Sequence, residues 1–119
     1  MSADVISITA KSSAPILIEL EPVDVHVRLA SGQSVIVDVR EASEYENVRI
    51  PSAFLMPLSF FEADHFPVIN GTEVILMCAV GKRSAVAAKQ LMNAGFGEVT
   101  HMKGGINKWI DDGLPVDED

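Results

Sequence analysis

Apolar residues along this chain gather into short unbroken runs, separated by polar turns and by stretches with helical spacing. Ile16-Leu17-Ile18, Val35-Ile36-Val37 and Val74-Ile75-Leu76-Met77 are such runs. Continuous rather than alternating apolarity is the mark of strands covered on both faces. The first run fits an edge strand, and the other two fit neighbouring parallel strands at the centre of a sheet. Ala53-Phe54-Leu55-Met56 predicts another strand, stopped by Pro57, and Glu98-Val99-Thr100 a short one. Helical spacing fills the intervals. Glu21-Pro22 opens a helix, because proline suits the first helical position. Val23, Val27 and either Leu29 or Ala30 give its apolar stripe, and Gly32 closes it. Residues 42–46 and 58–64 predict two short helices. Residues 84–94 predict an alanine-rich one, with Ala87, Leu91 and Ala94 on one face and Gly95 as its cap. A last helix is expected over 106–111. Strands alternating with helices in this way imply an α/β fold, a parallel sheet with helices on both faces.

The pattern also sets the boundaries. Residues 1–13 carry no strong periodicity and read as a flexible arm. Residues 14–116 read as the folded domain, and the acidic end, 117–119, as a solvated tail. A chain of 119 residues suits one domain. No apolar run approaches the roughly 18 residues that cross a bilayer, and the first 13 residues lack the basic start and apolar stretch of a signal peptide. A cytoplasmic protein without a membrane partner is the expectation.

Charge changes the picture at one place. The net charge is −8, which argues against nucleic acid as a partner. Between positions 74 and 110, however, five bases (Lys82, Arg83, Lys89, Lys103, Lys108) face one acid, Glu98, so that this segment is +4 within an acidic chain. Solvated helix faces would explain such scatter, and so would a local positive field for a small anion. There is one cysteine, which excludes an intrachain disulfide and any metal-binding cysteine cluster. His26, His65 and His101 show no metal-ligand spacing and read as structural or surface residues. No cofactor is expected.

That cysteine lies in Cys78-Ala79-Val80-Gly81-Lys82-Arg83-Ser84, between a buried strand and a helix. In open α/β sheets the carboxyl ends of strands are where ligands bind. The helix that begins here turns its positive end toward the loop, Gly81 permits a reversal of the backbone, and Lys82 and Arg83 add cationic charge. Each favours a thiolate. A lone cysteine that closes a core strand is also an ordinary packing residue, and the surrounding constellation is what favours chemistry.

Three segments, in order, resemble the rhodanese-like sulfurtransferases. Cys-x-x-Gly-x-Arg-Ser is similar to that family's active-site loop. Val35-Ile36-Val37-Asp38-Val39-Arg40-Glu41, with Tyr45-Glu46 beyond it, resembles its Asp-Val-Arg segment. Gly104-Gly105-Ile106-Asn107-Lys108-Trp109 resembles its Gly-Gly-x-x-x-Trp segment. The likeness extends over about residues 16–115. It implies a central five-stranded, mostly parallel sheet and a cysteine persulfide on Cys78. An anionic donor such as thiosulfate would load it, and a thiol or a protein acceptor would unload it. Backbone amides from Ala79, Val80, Gly81, Lys82, Arg83 and Ser84 would hold the charge. Arg83 would bind the donor or brace the loop, and Lys82 would attract the donor. Asp38 and Arg40 would support the site, Asp38 by accepting loop N–H groups or by pairing with Arg83, or would simply pair locally at a strand end. Trp109 reads as core, and the two glycines as a tight turn.

The chain departs from the family at Val48-Arg49-Ile50-Pro51-Ser52-Ala53, where relatives show Gly-His-Ile-x-Gly-Ala, and this leaves substrate preference open. Two other function classes compete. A phosphatase or arsenate reductase also uses Cys and Arg around an anion, but its pattern places five residues between them, against four here. A non-catalytic binding module on the same fold is the other alternative.

Overall fold

The computed structural model describes residues 14–118; the arm expected over 1–13 lies outside them. Five strands form one sheet: β1 (Ile16–Leu20), β2 (Ser34–Asp38), β4 (Phe54–Leu55), β5 (Glu73–Met77) and β6 (Glu98–Met102). Their order is β1-β6-β5-β2-β4, and every pairing is parallel. The two charge-poor runs are neighbours as expected, with Val35 opposite Val74 and Val37 opposite Leu76.

Residues on successive strand positions point to opposite faces, and the two cores follow from this. Ile36, Ile75 and Met77 face one side with Val25, Met102, Ile106 and Trp109. Val37, Leu76 and Cys78 face the other with Ala87, Ala88, Leu91 and Phe66. The first side is covered by α1 (Pro22–Ala30) and α4 (Gly105–Asp111), the second by α3 (Lys82–Asn93). Burying both faces removes the parallel strands from water and supplies most of the driving force for folding.

Several elements differ from expectation. On α1 the inward residues are Pro22, Val25 and Leu29, while Val23 and Val27 are exposed. Both sets have helical spacing, but Pro22 occupies one face and only that face meets the sheet. On α3 the buried face is Ser84, Ala87, Ala88 and Leu91, and Ala94 lies exposed beyond the helix. The helix expected over 58–64 is two 3₁₀ turns, Leu58–Phe60 and Ala63–His65. The Leu58 N–H donates to the Val39 carbonyl at 2.9 Å, which ties this segment to the sheet end instead of leaving it free to wind. At the acidic end the side chains of Asp117 and Glu118 are exposed, but their backbone forms β7 (Asp117–Glu118). It pairs antiparallel with β3 (Val48–Arg49), just after α2 (Ala42–Asn47). Ser52, in the segment that departs from the pattern of the family it resembles, holds φ at +72°, in the left-handed region that glycine favours.

Candidate active site

β5 carries Cys78 to the carboxyl edge of the sheet, between β2 and β6, and Val39 N–H donates to the Met77 carbonyl at 2.9 Å to fix that end. The chain then reverses at Gly81, whose φ of +100° places it in the left-handed region as the residue preceding α3. This turn aims the Gly81 N–H at the sulfur, 3.0 Å from Cys78 Sγ. The 12-residue α3 starts one residue later, so its positive end lies beside the sulfur. Cys78 has no exposed surface, whereas Val80 and Lys82 are exposed.

A second helix holds the loop from the other side. Ile106 N–H donates to the Cys78 carbonyl at 2.9 Å and Asn107 N–H to that of Ala79 at 3.1 Å. Gly105, at φ +63°, lies so close that a Cβ there would overlap the Ala79 carbonyl and the Cys78 oxygen. Gly104-Gly105 therefore does more than make a tight turn: the absence of a side chain lets α4 dock its N-terminal amides onto the loop. Trp109 is core, as expected, and donates from Nε1 to the Pro115 carbonyl at 2.8 Å.

The cations divide into paired and exposed groups. Arg83 makes a bidentate pair with Glu44 of α2, both contacts 2.8 Å, and both side chains are about one-third exposed. The Arg83 hydrogen bonds hold the Glu44 carboxyl down at about 2, against an ordinary 4.5, although burial works the other way. Glu44 in turn raises Arg83 above its usual value, and charge on Cys78 adds to this. Asp38 does not pair with Arg83. It is wholly buried and bonds Arg40 through the backbone N–H at 3.0 Å and through the guanidinium at 2.8–3.1 Å. Arg40 also donates to the Val48 carbonyl at 2.7 Å. Asp38 and Arg40 pair locally, the second of the two alternatives, and Arg40 reaches from before α2 to Val48 just after it; Glu44 of that helix is not among the residues the sequence singles out. A capping pair is the one sequence trace of Glu44, since Glu41 and Glu44 satisfy each other's backbone N–H groups. Lys82 is exposed and has no ion-pair partner among the described residues, whereas Lys103 and Lys108 approach Glu21 at 3.9 and 3.7 Å.

One histidine is neither superficial nor remote. Cys78 Sγ lies 3.6 Å from Ser84 Oγ, Ser84 Oγ lies 2.9 Å from His101 Nδ1, and His101 Nε2 lies 2.9 Å from Glu19 Oε2. Cys78, Ser84 and His101 are buried, and Glu19, directly opposite His101 in the β1–β6 ladder, is half exposed. His101, read from the sequence as a structural or surface residue, is a buried one whose ring links Ser84 to Glu19.

Comparison with known proteins agrees with this architecture. Residues 21–112 match the Rhodanese-like domain family. A sulfurtransferase of Allochromatium vinosum is 31% identical over 99 residues, covering 82% of this chain and 92% of that protein. An uncharacterised Synechocystis protein is 36% identical over 82 residues, 69% of this chain but only 46% of its own length, so this chain spans less than half of that relative. The crystal structure of a rhodanese-related protein from Thermoplasma volcanium superposes with a TM-score of 0.72 at 26% identity, covering 86% of this chain and 99% of that one. With its all-parallel sheet and its matched motifs, the chain belongs to the rhodanese-like domain family.

Proposed function

We propose that the protein is a sulfurtransferase that carries sulfane sulfur as a persulfide on Cys78. The observation that carries the reading is the Gly81 N–H aimed at Sγ from the turn that opens α3. A donor held there meets a sulfur nucleophile whose negative charge already has an N–H donor and a helix N-terminus facing it.

The donor class is a small anion with a transferable outer sulfur, thiosulfate being the simplest. Cys78 thiolate attacks that sulfur, its bond to the sulfite group breaks, sulfite leaves with the electron pair, and an anionic persulfide remains. A thiol or protein acceptor, or cyanide in vitro, then attacks the outer sulfur and releases the thiolate. This is two-step covalent catalysis. Amides of residues 79–84 stabilise the persulfide, and the exposed Lys82 draws in the anion. Arg83, committed to Glu44, serves as a brace of the loop and not as a direct donor contact. A lone free thiol suits a reducing compartment, and a cytoplasmic setting is part of this proposal.

Incubation with thiosulfate should raise the intact mass by one sulfur atom, cyanide should reverse the gain, and Cys78→Ser should show none. An unchanged mass with anionic sulfur donors, or turnover of aryl phosphates, would overturn the reading.

A further inference from the structure

The contacts from Cys78 through Ser84 and His101 to Glu19 form an unbroken line from a buried sulfur to the protein surface. We propose that Ser84, His101 and Glu19 are a proton relay that removes the thiol proton from Cys78 and holds the resulting thiolate opposite an imidazolium.

Donor and acceptor roles along the line are set by its outer end. An ionised Glu19 carboxylate only accepts, so His101 Nε2 carries a proton and donates it at 2.9 Å. In the neutral ring Nδ1 is then a bare lone pair, and it accepts the Ser84 O–H at 2.9 Å. The Ser84 oxygen, whose proton is thus engaged, accepts from the Cys78 S–H at 3.6 Å. Ser84 is also 3.3 Å from the Gly81 carbonyl, a longer and weaker alternative for its proton. Transfer moves two protons in one direction. The S–H bond breaks and leaves its electron pair on sulfur, the proton passes to Ser84 Oγ, and the original Ser84 proton passes to Nδ1. The serine is regenerated, now donating to the thiolate, and the imidazolium lies between Ser84 and Glu19. No electrons change hands and net charge is conserved.

The surroundings fit such a pair. Cys78 and His101 lie on the same side of the sheet, His101 opposite Leu76 on β5 and Glu19 on β1, with Ser84 reaching down from α3. The other charges near the sulfur are Arg83, offset by Glu44 and Glu41, and the exposed Lys82 on the same helix turn. Near His101, Lys103 follows two residues along the chain and approaches Glu21, not Glu19. Glu19 is therefore the carboxylate that steadies the imidazolium. Ser84 and His101 act through one another on the sulfur and are positioning residues.

The inference rests on the proposed function only for the use to which the thiolate is put. Its test needs no sulfur donor, so its failure and that of sulfur transfer are separable. Cys78 is the only thiol, and its ultraviolet thiolate absorbance can be followed against pH. His101→Gln keeps an amide that can bond both neighbours but takes up no proton. In this variant, checked for folding by thermal unfolding, the thiolate absorbance at neutral pH should fall about tenfold. Ser84→Ala should behave alike, and Glu19→Gln should shift in the same direction by less. Reciprocally, Cys78→Ser should move the pH at which the His101 imidazole resonances titrate. A folded His101→Gln with the wild-type thiolate profile would make the histidine purely structural and end the proposal. Should that variant not fold, unchanged profiles in both Ser84→Ala and Glu19→Gln would end it equally.

Discussion

Arg83 has two possible employments, and its partner separates them. If it contacted the donor directly, removing Glu44 would free its guanidinium and leave transfer intact or faster. If it braces the loop that carries Cys78, Glu44→Gln should slow transfer as Arg83→Ala does, and the double variant should be no worse than either single one. Steady-state rates with thiosulfate for the three variants decide the matter, and the pair geometry predicts the second pattern. Acid provides a second reading of the same contact. Because the Glu44 carboxyl is held near 2 in the folded protein, against 4.5 unperturbed, the pair's contribution to stability is complete above about pH 4.5. It is lost as pH falls from there toward 2. Denaturant unfolding across that range should therefore show a steeper acid loss for the wild type than for Glu44→Gln. At this scale the sequence was legible where chemistry is local: Cys78 and Gly81 lie three residues apart and their contact follows from the turn between them. It was not legible where partners are distant. Arg83 and Glu44 are 39 residues apart and His101 and Glu19 are 82 apart, and each pair meets only once elements are packed or strands registered.

Elements show the same division. Continuous apolar runs announced β2 and β5, because burial on both faces leaves no alternation to misread. The face of α1 was ambiguous, since two apolar sets with helical spacing coexist and the contact with the sheet, not the periodicity, chooses Pro22, Val25 and Leu29. The two 3₁₀ turns after Pro57 were likewise hidden, because a tether from Leu58 to Val39 is a tertiary fact. Helix α4 offers a sharp test of how elements build the site. Gly105→Ala would drive a methyl group into the Ala79 carbonyl, so α4 or the loop must move. We expect a destabilisation of about 2–4 kcal/mol, combining overpacking and left-handed strain, with loss of sulfur transfer. Gly71 has a similar positive φ of +79° but open space around it. Gly71→Ala should cost only about 1–2 kcal/mol and leave transfer untouched. Equal effects in thermal unfolding would mean that the docking of α4 on the loop contributes nothing beyond backbone strain.

For the whole molecule, charge and burial pull in different directions. The chain is acidic overall, yet the loop and α3 present Lys82, and the segment from 74 to 110 carries the excess of bases. An anionic donor should therefore be steered locally against a repulsive background. Sulfur transfer from thiosulfate should slow as salt is added and the field is screened beyond a Debye length of about 8–10 Å. A rate independent of ionic strength would assign the bases to solvation alone. At the far end of the sheet Glu73 is met by different means. Burial alone would push its carboxyl up, but hydrogen bonds from Arg28, Ser34 and Thr100 lower it overall. Finally, Cys78 is at once the proposed nucleophile and a fully buried member of the core around Leu76, Ala87 and Leu91. A sole thiol in that position is a built-in clock. A slim alkylating reagent can enter when the loop alone breathes, whereas a bulky one must wait until the core parts. The ratio of their labelling rates, followed against denaturant, would measure the loop's local opening separately from global unfolding in one unmodified protein.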